Sequence, residues 1–143
     1  MKRSNVYRAI RDKLLSDIRC LTVDVNRGQM NNPKADYPLP LPLALVNVTS
    51  TRWNTISGTV QAGIVNIVVD YFKVSCQNTF SGAENQDEAL LLLDSPDDVY
   101  KSLQGFQAPR LLGAVRRTEE RQIEAGGRII GYRITFEADV YEQ

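Results

Sequence analysis

From Ile129 to Val140 the chain alternates two kinds of residue without a slip. Ile130, Tyr132, Ile134, Phe136, Ala138 and Val140 occupy one parity, and Ile129, Gly131, Arg133, Thr135, Glu137 and Asp139 the other. A period of two is the spacing of a β-strand that buries one face, because successive side chains leave a strand on opposite sides. The fold therefore needs a sheet and something to cover one side of it.

The cover is readable at the other end of the chain. Val6, Tyr7, Ile10, Leu14 and Ile18 recur at three- and four-residue spacing, which predicts a first helix with one apolar stripe, Ser4 as its N-cap and a basic opposite face. Thr22 to Val25 reads as a short strand and "NRGQMNNPKAD" as a polar loop. In "DYPLPLPLALVNV", Pro38, Pro40 and Pro42 cannot donate to a sheet ladder, so they form a stiff lead-in to a strand from Leu43 to about Thr51. "TRWNTISGTVQAG" follows as a long hairpin or a mobile loop. "IVNIVVDYFKV", Ile64 to Val74, is dense in β-branched and aromatic residues and reads as the central strand.

The period changes near Ser81. Ser81 with Glu84, and Asn85 with Glu88, have capping-box spacing, so a helix should start there, with Ala89 to Leu93 as its apolar part. Ser95-Pro96 either kinks it or starts another helix with Ser95 as cap and Pro96 at the first helical position, and Val99, Tyr100, Leu103 and Phe106 continue the stripe. A strand around Ala114 to Thr118 and a charged, glycine-containing turn, "EERQIEAGGR", precede the last strand. The expectation is one α+β domain over residues 1–143: a mostly antiparallel sheet with two main helices packed on one face.

Composition narrows the function. There is no histidine, which removes the usual general base near neutral pH and the commonest metal ligand. Cys20 and Cys76 are isolated and read as reduced thiols without an activating partner. Gly126-Gly127 reads as a hairpin turn rather than a phosphate cradle. No catalytic, cofactor or metal residue is expected, so the sequence points away from an enzyme. No segment approaches the ~20 apolar residues of a membrane span, and the first residues lack a signal-peptide core, so a product of the cytoplasm is expected.

Charge is balanced overall, with 17 Lys plus Arg against 17 Asp plus Glu, yet segregated along the chain. Lys2, Arg3, Arg8, Arg11, Lys13 and Arg19 crowd the start. Glu84, Asp87, Glu88, Asp94, Asp97 and Asp98 fall in a stretch with no lysine or arginine, and Arg110, Arg116, Arg117, Arg121, Arg128 and Arg133 carry all positive charge after Lys101. Such separation suits solvated faces or copies packing through unlike patches. The candidate interface residues are Arg8 and Arg11, Asp97 and Asp98, and Arg116 and Arg117. The lone Trp53 reads either as a lid over the sheet edge or as an interface anchor.

Taken in order, the amphipathic first helix, "NRGQMNNPKADYPLPLPLALVNV", "TRWNTISGTVQAG", "IVNIVVDYF", "VYKSLQGF" and "RRTEER...YRITFEADVYE" resemble small tail-terminator and tail-completion proteins of long-tailed bacteriophages and prophages. The forms of Bacteroidetes-type elements are the nearest. The resemblance implies a structural virion protein at the head-proximal end of the tail, made in the host bacterial cytoplasm. It implies a homo-oligomeric ring, a hexamer, that caps the tail tube protein, ends polymerisation and meets a neck or head-completion protein, with DNA only passing through the lumen. The Ser95-Pro96 break departs from the unbroken helix of that pattern. Alternatives from the same residues are a head-closure or neck adaptor, a small-ligand-binding domain, or a carboxylate-based enzyme.

Overall fold

The computed structural model describes residues 1–31, 40–74, 81–84 and 86–142. The architecture is α+β: one five-stranded sheet, in the order β1-β2-β3-β5-β4, with helices on one face. Helix α1 spans Arg3–Asp17 and buries Val6, Ile10 and Leu14, the stripe that its spacing predicts. Ser4 is not its cap. Lys2 holds that position, extended, and its carbonyl accepts from the amides of Asn5 and Val6.

β1 (Thr22–Val25) pairs with β2 (Leu43–Ser57) in parallel, the one departure from antiparallel pairing in the sheet. The connection, residues 26–42, has the dozen or more residues that parallel neighbours require. β2 starts directly after Pro42, and Pro38 lies outside the described residues.

β2 and β3 (Val60–Val74) form one hairpin of two 15-residue strands, each ~50 Å long at 3.3 Å per residue. "TRWNTISGTVQAG" is therefore strand almost throughout. Only Gly58 and Thr59 turn the chain, and Gly58 takes the left-handed φ of 54° that such a loop requires. β3 is the central strand, flanked by β2 and by β5 (Ile129–Glu142).

The Ser95-Pro96 break starts a new helix. α2 (Gln86–Leu90) runs into a short 3-10 turn, and α3 (Pro96–Leu103) begins with Pro96 in its first turn. Ser95 Oγ donates back to Leu92 O at 2.5 Å, closing the preceding turn instead of capping α3. The Asn85–Glu88 box includes a residue outside the described set.

β4 (Arg116–Ile123) is longer than its sequence suggests and takes in "EERQI", which reads as turn. It is an edge strand exposed on both sides, where charged residues are tolerated and deter stray pairing.

The alternation of β5 is realised as predicted. Tyr132, Ile134, Phe136, Ala138 and Val140 join Ala44, Val46, Val65, Ile67, Val69 and Tyr71 under α1 and α3, with Val99 and Leu103 closing the core. The opposite face carries a smaller apolar cluster at one end, Leu43, Leu45 and Phe72. Gly131 makes room for it, since a Cβ there would stand 2.8 Å from the Phe72 ring.

Candidate functional site

Two parts of the molecule carry exposed or charged side chains gathered beyond the core. One is the distal end of the sheet. After Val46 the side chains of β2 change from buried to mostly exposed. A bulge between Val48 and Thr51 marks the transition, and Arg3 of α1 donates to Val48 O at 2.5 Å and Thr49 O at 3.2 Å there. Beyond it, β2, β3 and β5 continue together as a three-stranded blade, with Gln61 opposite Glu142 as its last pair on that side.

Trp53 lies on this blade, opposite Gly63. Its ring covers the glycine: a Cβ on Gly63 would meet Trp53 Cε3 at 2.7 Å. Trp53 is thus a lid over the sheet, yet 37% of it stays exposed. Near the tip Ile56 is 60% exposed, and on the reverse face Tyr141 is 69% exposed beside the half-exposed Ile64. Their registers place Ile64 across from Arg52 and Asp139, and Tyr141 across from Ala62. Large apolar side chains therefore stand open on both faces of one end.

The other part is a cleft at the opposite end of β3, about 540 Å3 in volume, between the C-terminal half of α1, α3 and the end of that strand. Asp98 is held there, accepting from Tyr71 Oη at 3.0 Å and pairing with Lys73 at 3.5 Å. Burial, reinforced by the Asp98 carboxylate, pushes the Tyr71 phenol well above its ordinary range. Asp17 accepts from Lys13 Nζ at 2.5 Å and Ser102 Oγ at 2.8 Å, and these bonds, Lys13 first, hold its carboxyl below the ordinary value of 3.8.

A pH dependence follows from Asp17. A depressed carboxyl contributes stability above the ordinary carboxyl pKa and loses it as pH falls through the lower folded-state value. In Ser102→Ala, NMR titration should show the Asp17 pKa rising toward 3.8. The stability gap to the parent should be widest at neutral pH and close in acid. An unmoved Asp17 titration would show that Ser102 does not act on it.

The remaining interface candidates are dispersed. Asp97 is exposed in the first turn of α3. Arg116 pairs across the sheet with Glu137 at 2.9 Å and Asp139 at 3.4 Å. Arg117 stacks over the Tyr100 ring, 4.0 Å from its centroid, and pairs with Glu120 at 3.1 Å, so it stands against the helix that bears Asp97 and Asp98. Arg8 bonds to Asn5, and Arg11 pairs with Asp12 on the same helix. Asp98 is thus engaged within its own chain, and Arg8 and Arg11 find partners on their own helix. Cys20 is an exposed free thiol, and Cys76 lies outside the described residues.

The sequence marked Arg133 only as one of the arginines after Lys101, and marked neither Asp70 nor the pairing of the two. Arg133 clamps Asp70 with two bonds of 2.8 and 2.9 Å on the sheet face away from the helices, and Asn26 Nδ2 adds a third at 2.9 Å. The bonds to Asp70 hold the Arg133 proton more firmly than usual. The available signal was a lone acid inside the apolar run of the central strand.

Among the described residues, no group of three or more acids or cysteines is placed to hold a metal ion, and no helix is long and apolar enough to cross a membrane. No protein-family model and no curated protein matches the chain.

Proposed function

We propose that this chain is a ring-forming tail-terminator protein of a long-tailed phage or prophage, which caps the tail tube and offers a surface to the head or neck. The observation that carries the reading is the distal blade. Trp53, Ile56, Ile64 and Tyr141 are open to water on the end of the sheet where only β2, β3 and β5 continue. Exposed apolar groups gathered at one end mark a surface made to be covered.

Two further features support it. The sheet ends in unlike edges, a four-residue β1 and a charged eight-residue β4, so copies can meet head to tail through different patches. The charge segregation of the sequence remains on separate elements, with Arg8 and Arg11 on α1 and Asp97 on α3.

The blade makes a direct test. The double variant Ile56→Ser with Tyr141→Ser removes two exposed side chains and should change folding stability by no more than ~0.5 kcal/mol per site. It should nevertheless reduce co-sedimentation with tail tubes about tenfold or more, as losing interface anchors does. Unimpaired tube binding by a folded double variant would remove the blade from the interface.

A further inference from the structure

The cleft at the end of β3 gathers charges of both signs. Four cations, Lys13, Arg19, Lys73 and Lys101, line it together with two carboxylates, Asp17 and Asp98. Each carboxylate is already served by one lysine and by hydroxyl donors: Asp17 by Lys13, Ser102 and Ser16, Asp98 by Lys73 and Tyr71. Arg19 and Lys101 are left over. Both are exposed, and neither side chain has a hydrogen bond or ion pair among the described residues.

The position of Arg19 is set by the backbone. α1 stops at Asp17, the Ile18 amide closes the last turn on Leu14 O, and Cys20 takes a φ of 60°, turning the chain as it leaves the rim of the cleft. Ile18 and Pro42 add an apolar wall beside these charges.

We propose that this cleft binds a small phosphate-bearing molecule, its oxyanion held by Arg19 and Lys101 with the free protons of Lys13 and Lys73, and its organic part against Ile18 and Pro42. Arginine offers a planar fork matched to two oxygens of one phosphate, and lysine adds a point charge with three donors. A volume of about 540 Å3 is in the range of small-ligand sites and larger than an isolated ion needs. A nucleic-acid backbone is the poorer occupant. It asks for an extended basic stripe, whereas this chain has zero net charge and gathers these cations in one concavity.

The test is calorimetric titration of the full chain with inorganic phosphate and with phenyl phosphate, against sodium chloride at matched ionic strength. Saturable binding of both phosphates is expected, with phenyl phosphate at least as tight. Arg19→Ala and Lys101→Ala should each weaken it about tenfold or more, the loss of one charge-assisted hydrogen bond. Arg121→Ala, on the exposed edge strand outside the cleft, should leave it unchanged. Equal effects of phosphate and chloride would show that the cations only complement the helix ends, and would overturn the proposal. So would binding that survives the Arg19→Ala, Lys101→Ala double variant, or an equal loss with Arg121→Ala. A short DNA duplex that binds more tightly than phenyl phosphate and depends on the same two residues would overturn the assignment to a small ligand. None of these outcomes depends on whether the protein forms a ring.

Discussion

Phe136→Ala should lower the unfolding free energy by about 3–5 kcal/mol, the range for removing a large aromatic from a closed core. Phe136 has no exposed surface and sits mid-strand in β5, opposite Ile67 on β3 and Arg117 on β4. Strands hold the backbone on both sides, so the site has little freedom to collapse around the missing ring. For a chain of 143 residues the loss corresponds to a fall of roughly 10–17 °C in Tm. Thr135→Ala, one position along on the opposite face, should cost far less, because that parity lies away from the helices. Comparable losses at both positions in denaturant titrations would show that the helix-covered face is not where stability resides.

Arg133→Met should cost about 3 kcal/mol, because it strands a carboxylate instead of removing a pair. Asp70 is only 4% exposed and would keep a single side-chain donor, Asn26. The expected loss sits at the low end of the range for broken buried pairs because the guanidinium itself reaches solvent. Adding Asp70→Asn to that variant should restore most of the lost stability by removing the uncompensated charge. Arg121→Met provides the contrast: its nearest carboxylate is Glu119 at 3.8 Å, both groups are exposed, and the cost should stay below ~0.5 kcal/mol. If Arg133→Met is as mild as Arg121→Met, the clamp on Asp70 contributes nothing to the fold.

These two sites differ in how they could be read from the chain. Phe136 is explicit in the sequence, because a strand with one covered face writes its burial as a period of two, and β5 does so for six alternations. The stripe of α1 is explicit for the same reason, a local rule and the tertiary outcome agreeing, whereas Ser95-Pro96 is compatible with a kink or a new helix and only the structure decides for the start of α3. β4 is not, because an edge strand with solvent on both sides has no burial to record, so "EERQI" looks like a turn. The distal half of β2 hides similarly, its polar residues being mostly exposed although the strand still pairs with β3. The parallel placement of β1 beside β2 is a long-range outcome that no local pattern records. The clamp on Asp70 and the resting place of Trp53 on Gly63 depend on register, which sets which residues of β2, β3 and β5 stand opposite one another. Of the candidate site, the sequence showed Trp53 and the charge segregation. It did not show that Asp98 is held by Tyr71 and Lys73, since those partners meet only when α3 docks beside β3.

The central claim, that this protein ends a tail tube, is tested most directly by electron microscopy of tubes grown from the cognate tube protein in the presence and absence of the chain. Tubes of bounded length with one additional ring of density at a single end are expected, and unbounded growth when the protein is withheld. Tubes of the same length distribution in both cases, with no added density at either end, would contradict it.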